Sequence, residues 1–326
     1  MSLRSSGLRL LYDHARLRRM AVCEMGEFSG VLAAAINTVL GGLAVGVTRF
    51  VISATDPLTL GAFRFGIGCL LLLPFALLQL DRWPVRRDLL GVAMLGLLYF
   101  GLYPILFNAS LAFTTAVRGA LALSTTPILT MLAAAALGIE SLTARKTFGV
   151  LIATLGVAVA LLTGFATAPV DAWRGDLLMI VAALCQALYS IWSRPFIVRS
   201  GTIPYTFVGM TVGAVVLIVV SWSRGGFDVV NDFGPKQWAA IAFLGLFGGA
   251  LAFYLWTFAL ERTTPTRVAI TITLNPLTAG AFGVFALGEP ITWNLIAGLL
   301  LVLTGIWLAA SHSAGSPIKV PTSSDH

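Results

Sequence analysis

Blocks of about 20 consecutive apolar residues, separated by short polar breaks, constrain this chain more than any other feature of its sequence. A helix rises 1.5 Å per residue, so about 20 residues cross the roughly 30 Å of hydrocarbon in a bilayer. Only 11% of the residues are charged, whereas a soluble domain carries about 25%. Because so few charges cannot cover a water-facing surface, we expect an integral membrane protein.

The apolar blocks predict ten transmembrane helices, which makes the expected fold class an all-α polytopic membrane protein. The first block is longer than the roughly 7 to 15 apolar residues of a signal peptide, so we expect it to be retained. The expected spans are 29–52, 59–80, 88–111, 115–138, 146–164, 175–194, 203–223, 238–260, 264–288 and 290–310.

Lysines and arginines, apart from Arg49 and Arg64, are spread unevenly over the segments between these spans and the span ends that adjoin them. If the N-terminus is inside, the inner segments hold 15 of them and the outer segments hold four. An excess of positive charge marks the cytoplasmic side of a membrane protein, so we expect both termini in the cytoplasm. Because most of the arginines lie in these segments, the net charge of +7 is explained by membrane orientation. We predict contact with the lipid bilayer and none with nucleic acid.

The two halves of the chain are similar to each other. A shift of 149 residues aligns 112–160 with 261–309 without a gap, and 11 of the 49 aligned positions are identical. Chance similarity between apolar helices would not bring polar and helix-breaking residues into register. The matched pairs of this kind include Thr114 with Thr263, Arg118 with Arg267, Pro127 with Pro276, Glu140 with Glu289, Gly149 with Gly298 and Gly156 with Gly305.

This repeat divides the chain into two five-helix units, 29–164 and 175–310, between a basic N-terminal segment 1–28 and a C-terminal tail 311–326. Because five is odd, the second unit enters the bilayer upside down relative to the first. Inverted repeats of this kind are common in secondary transporters, whose two units enclose a central substrate cavity. We therefore predict a carrier that exposes one cavity to each side of the membrane in turn.

The motifs within the repeat resemble those of the drug/metabolite transporter superfamily, in particular its ten-span bacterial EamA-type exporters. Each half ends in an "LGE"-like turn before its last helix, and an arginine lies near the start of the second span. The matching segments are LGIE at 137–140, LGE at 287–289, GAFRF around Arg64, STTP ending at Pro127 and TLNP ending at Pro276. The resemblance covers residues 28–310 and implies an exporter of the bacterial inner membrane.

The resemblance also limits the substrate to a small molecule. Relatives export aromatic amino acids, threonine and homoserine or other metabolites, and more distant ones carry sugar phosphates and nucleotide sugars. None of the three lysines lies deep within a span, which argues against a multiply charged phosphate. We expect export of aromatic and other neutral amino acids. The alternatives are a carrier of another metabolite or drug class, such as a nucleoside, a sugar or a sugar phosphate, and a proton-coupled exporter.

Polar side chains deep within apolar spans are costly in hydrocarbon, so we expect them to face the interior of the bundle. As a group they predict a polar substrate cavity, although each of them could instead make a hydrogen bond between helices. The candidates are Asn37, Thr38, Asn108, Gln186, Ser190, Thr271, Thr273 and Asn275.

Three tyrosines are further candidates for the cavity. Tyr99 and Tyr103 lie four residues apart, on one face of the third span, and Tyr189 shares a face of the sixth span with Gln186. Two facing aromatic rings could sandwich an aromatic substrate. Tyrosine and tryptophan also favour membrane interfaces, but Tyr103 and Tyr189 lie too far from the span ends for that role.

Arg49 and Arg64 lie about one turn inside the outer ends of two consecutive spans. A guanidinium at this depth could hold a carboxylate by two parallel hydrogen bonds. The alternative is that the side chain reaches outward to the lipid headgroups. Arg64 is the better candidate. A shift of 147 residues, which fits this segment, places Thr211 opposite Arg64, so a symmetric structural role is excluded.

Prolines inside the predicted spans remove a backbone donor and free the carbonyl four residues earlier. Pro127 frees that of Leu123, and Pro276 frees that of Ile272. These carbonyls are predicted either to accept a hydrogen bond from a substrate or to be satisfied within the bundle.

Strong proton coupling is not expected, because all three histidines lie in the terminal segments and the acidic residues fall at span ends or in loops. A serine protease or metalloenzyme within the membrane would need such histidines, and an ion channel would repeat a filter around an axis. We therefore expect neither enzymatic activity nor a cofactor or bound metal.

Glycines on spans five and ten predict a close helix contact. The contact could lie within one chain or between two, so monomer and homodimer both stay open.

Overall fold

The computed structural model of the chain describes residues 26–44, 47–48, 51, 54–111, 113–114, 116–160, 171–278 and 293–310. Within these ranges the chain folds into helices and short turns, and no strand occurs. In chain order the α-helices are α1 Gly26–Ala44, α2 Pro57–Leu77, α3 Arg86–Gly96, α4 Tyr103–Leu111, α5 Ala116–Leu123, α6 Thr126–Ala136, α7 Ala144–Ala160, α8 Ala172–Ser200, α9 Thr202–Ser223, α10 Pro235–Phe243, α11 Ala252–Arg262, α12 Pro265–Ile270 and α13 Trp293–Ala310.

Six helical stretches are long and apolar enough to cross a membrane, which confirms the expectation of a helical membrane protein. The tenfold count stays a prediction, because the predicted fifth, ninth and tenth spans run into 161–170 and 279–292, outside the described residues. The predicted terminal segments and Arg49 also lie outside them, except for residues 26–28. The six stretches are Gly26–Ala44, Pro57–Leu77, Arg86–Phe107, Ala172–Ser200, Thr202–Ser223 and Pro235–Arg262.

Local sequence explains where these helices begin and end. Asp56 caps α2, since its carboxylate Oδ1 accepts hydrogen bonds from the backbone N–H groups of Leu58 at 2.9 Å and Thr59 at 3.2 Å. Pro57 occupies the first helical position, where a missing N–H is harmless. α8 ends at Gly201, whose φ of +73° lets the chain turn directly into α9. α8 therefore continues to Ser200, six residues past the predicted end of the sixth span at 194.

Two predicted spans contain a π-helical turn that periodicity did not reveal. Residues Leu97–Leu102 continue α3, and Leu244–Leu251 continue α10. The two turns begin 147 residues apart (244 − 97), close to the shift that relates the two halves. A π turn holds an additional residue and is often found at a functional site.

The predicted fourth span, 115–138, is divided in the structure into α5 and α6. The break falls just before Pro127, which cannot donate the backbone hydrogen bond that would continue α5. The carbonyl that Pro127 frees, on Leu123, accepts the Thr126 hydroxyl at 2.6 Å. In the second half, the carbonyl that Pro276 frees, on Ile272, accepts the backbone N–H of Asn275. Each freed carbonyl thus has a partner within the chain.

The two halves meet along a seam between α7 and α13. A side-chain carbon at Gly149 would lie 2.8 Å from the carbonyl oxygen of Gly305, and one at Gly156 would lie 2.9 Å from that of Gly298. The four glycines therefore allow the two backbones to touch, as the sequence spacing predicts. The contact lies within one chain.

The end of the bundle at which α1 begins is held by partly buried ion pairs. Arg267 on α12 donates to Glu27 on α1 at 2.8 Å. Glu140 accepts the backbone N–H of Thr266 at 3.0 Å and the Lys146 ammonium at 2.9 Å. The position of Glu140 before α7 predicts a contact with the start of that helix, but its carboxylate also caps α12 in the other half.

We predict that Gly156→Val lowers the free energy of unfolding by about 1–3 kcal/mol, because the added side chain overpacks the seam. Thermal unfolding in detergent measures this loss. Gly26→Val is the matched control, because no atom lies within 4 Å of a side-chain carbon there. Equal stability of the two variants would contradict the role assigned to the seam.

Candidate functional site

Arg64 lies on α2 and points to the π turn that follows α10. Its Nε and Nη2 atoms donate to the carbonyl oxygen of Gly248 at 2.9 and 2.6 Å. The guanidinium carbon is 5.8 Å from the ring centre of Phe65 and 5.9 Å from that of Phe253, within the range of a cation–π attraction. Arg64 is thus held inside the bundle and does not extend to the headgroups.

The three candidate tyrosines lie together beside this arginine. The Tyr99 and Tyr189 rings stack with centres 4.1 Å apart and planes 22° apart, and the Tyr103 ring centre is 5.3 Å from that of Tyr99. Gln186 donates from Nε2 to the Tyr99 hydroxyl at 3.0 Å. We call Arg64, Tyr99, Tyr103, Gln186 and Tyr189 the central cluster.

The expected aromatic sandwich is closed in this structure. Rings in van der Waals contact at 4.1 Å leave no room for a third ring between Tyr99 and Tyr189. Arg64, Tyr103 and Phe253 are nevertheless only half-buried. A bound ring therefore requires Tyr99 and Tyr189 to separate.

A second group of candidates lies between α1 and the segment after α12. The Thr38 and Thr271 hydroxyls are 3.3 Å apart, and Thr273 donates to the carbonyl of Ile270 at 2.6 Å. The amide of Asn275 approaches Gly41 on α1, where a side-chain carbon would lie 3.9 Å from its Nδ2 atom. The hydroxyls of this group thus form hydrogen bonds within the bundle, which is the alternative to substrate binding for polar side chains inside spans.

The remaining candidates occupy different surroundings. Asn37 is half-buried on α1 beside Thr38. Ser190 is fully buried, and its hydroxyl donates to the carbonyl of Gln186 at 2.8 Å, one turn earlier in α8. The side chain of Asn108 lies outside the described residues. Substrate binding by all twelve candidates stays a prediction.

Sequence reasoning missed the residues that complete the central cluster. The Phe253 ring contacts those of Phe65, Tyr99 and Phe100 at centre distances of 5.5, 5.5 and 4.9 Å. Gly248 supplies the carbonyl that holds Arg64. A signal for this region was present, because the Leu-Gly-Leu triplet that precedes Tyr99 recurs just before Gly248.

Two clefts lie outside the central cluster. One, of about 440 Å³, is lined by apolar side chains that include Phe63, Trp222 and Trp238. The other, of about 180 Å³, is lined by Arg82, Glu261 and other residues at the far end of α2 and α11. Neither contains a candidate residue. No group of three potential metal ligands occurs in the described ranges.

We predict that the Gln186–Tyr99 hydrogen bond couples α8 to α3. In a double-mutant cycle, Gln186→Leu and Tyr99→Phe should show a coupling energy of about 0.5–1.5 kcal/mol, because either change removes the same bond. Thermal unfolding of the purified protein gives the four free energies. A cycle that pairs Gln186→Leu with Tyr254→Phe, a tyrosine outside the cluster, should be additive. Additivity in both cycles would contradict the prediction.

Comparison with known proteins shows which family the sequence matches. The sequence profile described as the EamA-like transporter family matches residues 28–162 and 173–311. An uncharacterized transporter of Bacillus subtilis (strain 168), YyaM, is 24% identical over 277 residues, which are 84% of this chain and 90% of that protein.

A probable terminal-alkyne amino-acid exporter of Streptantibioticus cattleyicolor is 26% identical over 238 residues, which are 72% of this chain and 77% of that protein. A solved crystal structure superposes with a TM-score of 0.69 at 21% sequence identity, and the match covers 89% of this chain and 96% of the other. At this identity the superposition shows a shared fold.

Proposed function

The chain belongs to the EamA-like transporter family, and from this membership we propose that it exports aromatic and other neutral amino acids. Its role as a membrane-embedded transporter follows from the family. The amino-acid substrate is supported by the similarity to a probable amino-acid exporter and by the chemistry of the central cluster.

The observation that carries the proposal is the pair of hydrogen bonds from Arg64 to the carbonyl of Gly248. A carboxylate accepts from a guanidinium more strongly than a neutral carbonyl does, because both partners are charged. The α-carboxylate of an amino acid can therefore displace the Gly248 carbonyl. Arg64 then binds the substrate with the same two donors that bond to Gly248 in this structure.

The side chain of the substrate is assigned to the aromatic part of the cluster. Separation of the stacked Tyr99 and Tyr189 rings opens a slot for an aromatic or aliphatic side chain. Asn37, Asn108 and Asn275 supply amides for the ammonium group, and Thr38, Thr271, Thr273 and Ser190 complete the polar wall. This assignment is part of the proposal.

The proposed architecture has ten spans in two inverted five-helix units with both termini in the cytoplasm. It is supported by the two ranges that the family profile matches, by the charge asymmetry of the loops and by the corresponding positions of the two π turns. In such a repeat the units can rock about the site between them, which gives alternating access.

We predict that Arg64→Gln abolishes counterflow of labelled amino acids in proteoliposomes, because the amide cannot replace the charged donor. Arg64→Lys should retain a small fraction of the activity, since an ammonium keeps the charge but lacks the planar pair of donors. Arg86→Gln is the control, because Arg86 is an exposed arginine at the start of α3. This variant should transport normally. Unchanged uptake by the Arg64→Gln protein would refute the assignment.

The counterflow screen also tests the substrate class. Labelled amino acids are compared with nucleosides, sugars and sugar phosphates in the same liposomes. Saturable counterflow of aromatic amino acids supports the proposal. Saturable counterflow of another class alone would assign the carrier to that alternative, and unsaturable flux would indicate a channel.

We predict that substrate movement produces little proton flux. No histidine and no acidic residue lies in the middle of a predicted span, and intramembrane proton carriers usually need such groups. Liposomes loaded with a pH-sensitive dye should show no pH change when an amino-acid gradient is applied. A stoichiometric proton flux would replace this part of the proposal with a proton-coupled exporter.

A further inference from the structure

Four buried polar side chains next to the tyrosine stack contain atoms without a hydrogen-bond partner among the described residues. The atoms are the Gln186 carbonyl oxygen and the hydroxyl oxygens of Tyr189, Ser193 and Tyr205. None of these side chains is more than 6% exposed. We call the four residues the hydroxyl cluster.

The members of the hydroxyl cluster are neighbours in space. Gln186, Tyr189 and Ser193 lie at i, i+3 and i+7 on one face of α8. The Tyr205 ring on α9 is centred 6.3 Å from the Tyr189 ring, and the Tyr205 hydroxyl interacts with Tyr189 and Ser193. The Tyr189, Ser193 and Tyr205 hydroxyls thus lie near one another, and none of them forms a hydrogen bond of normal geometry with another.

A polar atom that is buried without a partner destabilises the fold, and native proteins contain few of them. Four such atoms in one place indicate a site that is completed by a ligand. The cluster offers donors and acceptors but no charged side chain, so the ligand group it fits is neutral and can both donate and accept hydrogen bonds.

The hydroxyl cluster is reached from Arg64 through the tyrosine stack. Arg64 interacts with Tyr99 and Tyr103, Tyr99 stacks on Tyr189, and Tyr189 adjoins Tyr205. A substrate can bind Arg64 through its carboxylate and place its ring between the separated Tyr99 and Tyr189 rings. The far end of its side chain then points to the hydroxyl cluster.

We propose that the hydroxyl cluster is a specificity subsite that recognises a neutral hydroxyl or N–H group at the end of an aromatic amino-acid side chain. This inference rests on the proposed function. It predicts that tyrosine, and tryptophan through its indole N–H, are preferred to phenylalanine. A site built to bond a substrate hydroxyl rejects the analogue that lacks it, because its own polar groups then stay unpaired.

Competition in the counterflow assay tests the subsite. Unlabelled tyrosine and phenylalanine, which differ by one hydroxyl, compete with labelled tryptophan in proteoliposomes. For the unsubstituted protein we expect tyrosine to inhibit at a concentration at least about tenfold lower than phenylalanine. Tyr205→Phe and Ser193→Ala should bring this ratio close to one, whereas phenylalanine itself should inhibit each variant no more weakly than before.

Tyr254→Phe is the matched control, because it removes a tyrosine hydroxyl from α11 outside the hydroxyl cluster and should leave the ratio unchanged. Size-exclusion chromatography and thermal unfolding identify variants that do not fold. If only one of Tyr205→Phe and Ser193→Ala folds, that variant alone tests the subsite. Altered stability with an unaltered ratio would mean that the cluster holds only water, and would overturn the inference.

Failure of the inference is distinguishable from failure of the proposed function. If tyrosine and phenylalanine compete equally well against labelled tryptophan, the carrier still transports aromatic amino acids and only the subsite is refuted. If no amino acid shows counterflow, the proposed function is refuted first.

Discussion

A peptide group in hydrocarbon has no water with which to form a hydrogen bond, and the rest of this structure depends on that constraint. Every described element is therefore helical or a tight turn. The same constraint acts wherever a helix is interrupted. The carbonyl freed by Pro127 accepts the hydroxyl of Thr126, and the carbonyl of Gly248, in a π turn, accepts the guanidinium of Arg64. In the second case the partner is the charged side chain to which we assign the carboxylate of the substrate.

Periodicity and composition predicted the membrane-embedded helices because length and apolarity are local properties of the sequence. They placed Arg64, Tyr99, Tyr103, Gln186 and Tyr189 among the candidates because polar groups within apolar spans are rare. Which of these groups touch each other depends on the rotation and crossing of the helices. Sequence spacing could therefore predict that Tyr99 and Tyr103 share a face, but could not predict that Tyr99 stacks on Tyr189.

The parts that sequence missed have a common physical origin. A π turn differs from an α turn by one backbone hydrogen bond and leaves the apolar pattern almost unchanged. From the sequence alone, Phe253 resembles a lipid-facing residue. In the structure it follows a π turn, and its ring contacts those of Tyr99 and Phe100. The hydroxyl of the candidate Thr273 donates to a carbonyl one turn earlier, a local hydrogen bond that side-chain polarity alone does not reveal.

The glycine seam between α7 and α13 has a consequence for motion. Where backbones touch at Gly149, Gly156, Gly298 and Gly305, there is no layer of side chains that could shear or change rotamer. Sliding one helix by a single residue would bring Val157 to the position of Gly156, or Leu299 to that of Gly298. The seam is thus a line of direct backbone contact that resists sliding. If the two halves rock, this contact favours rotation about the seam over movement along it.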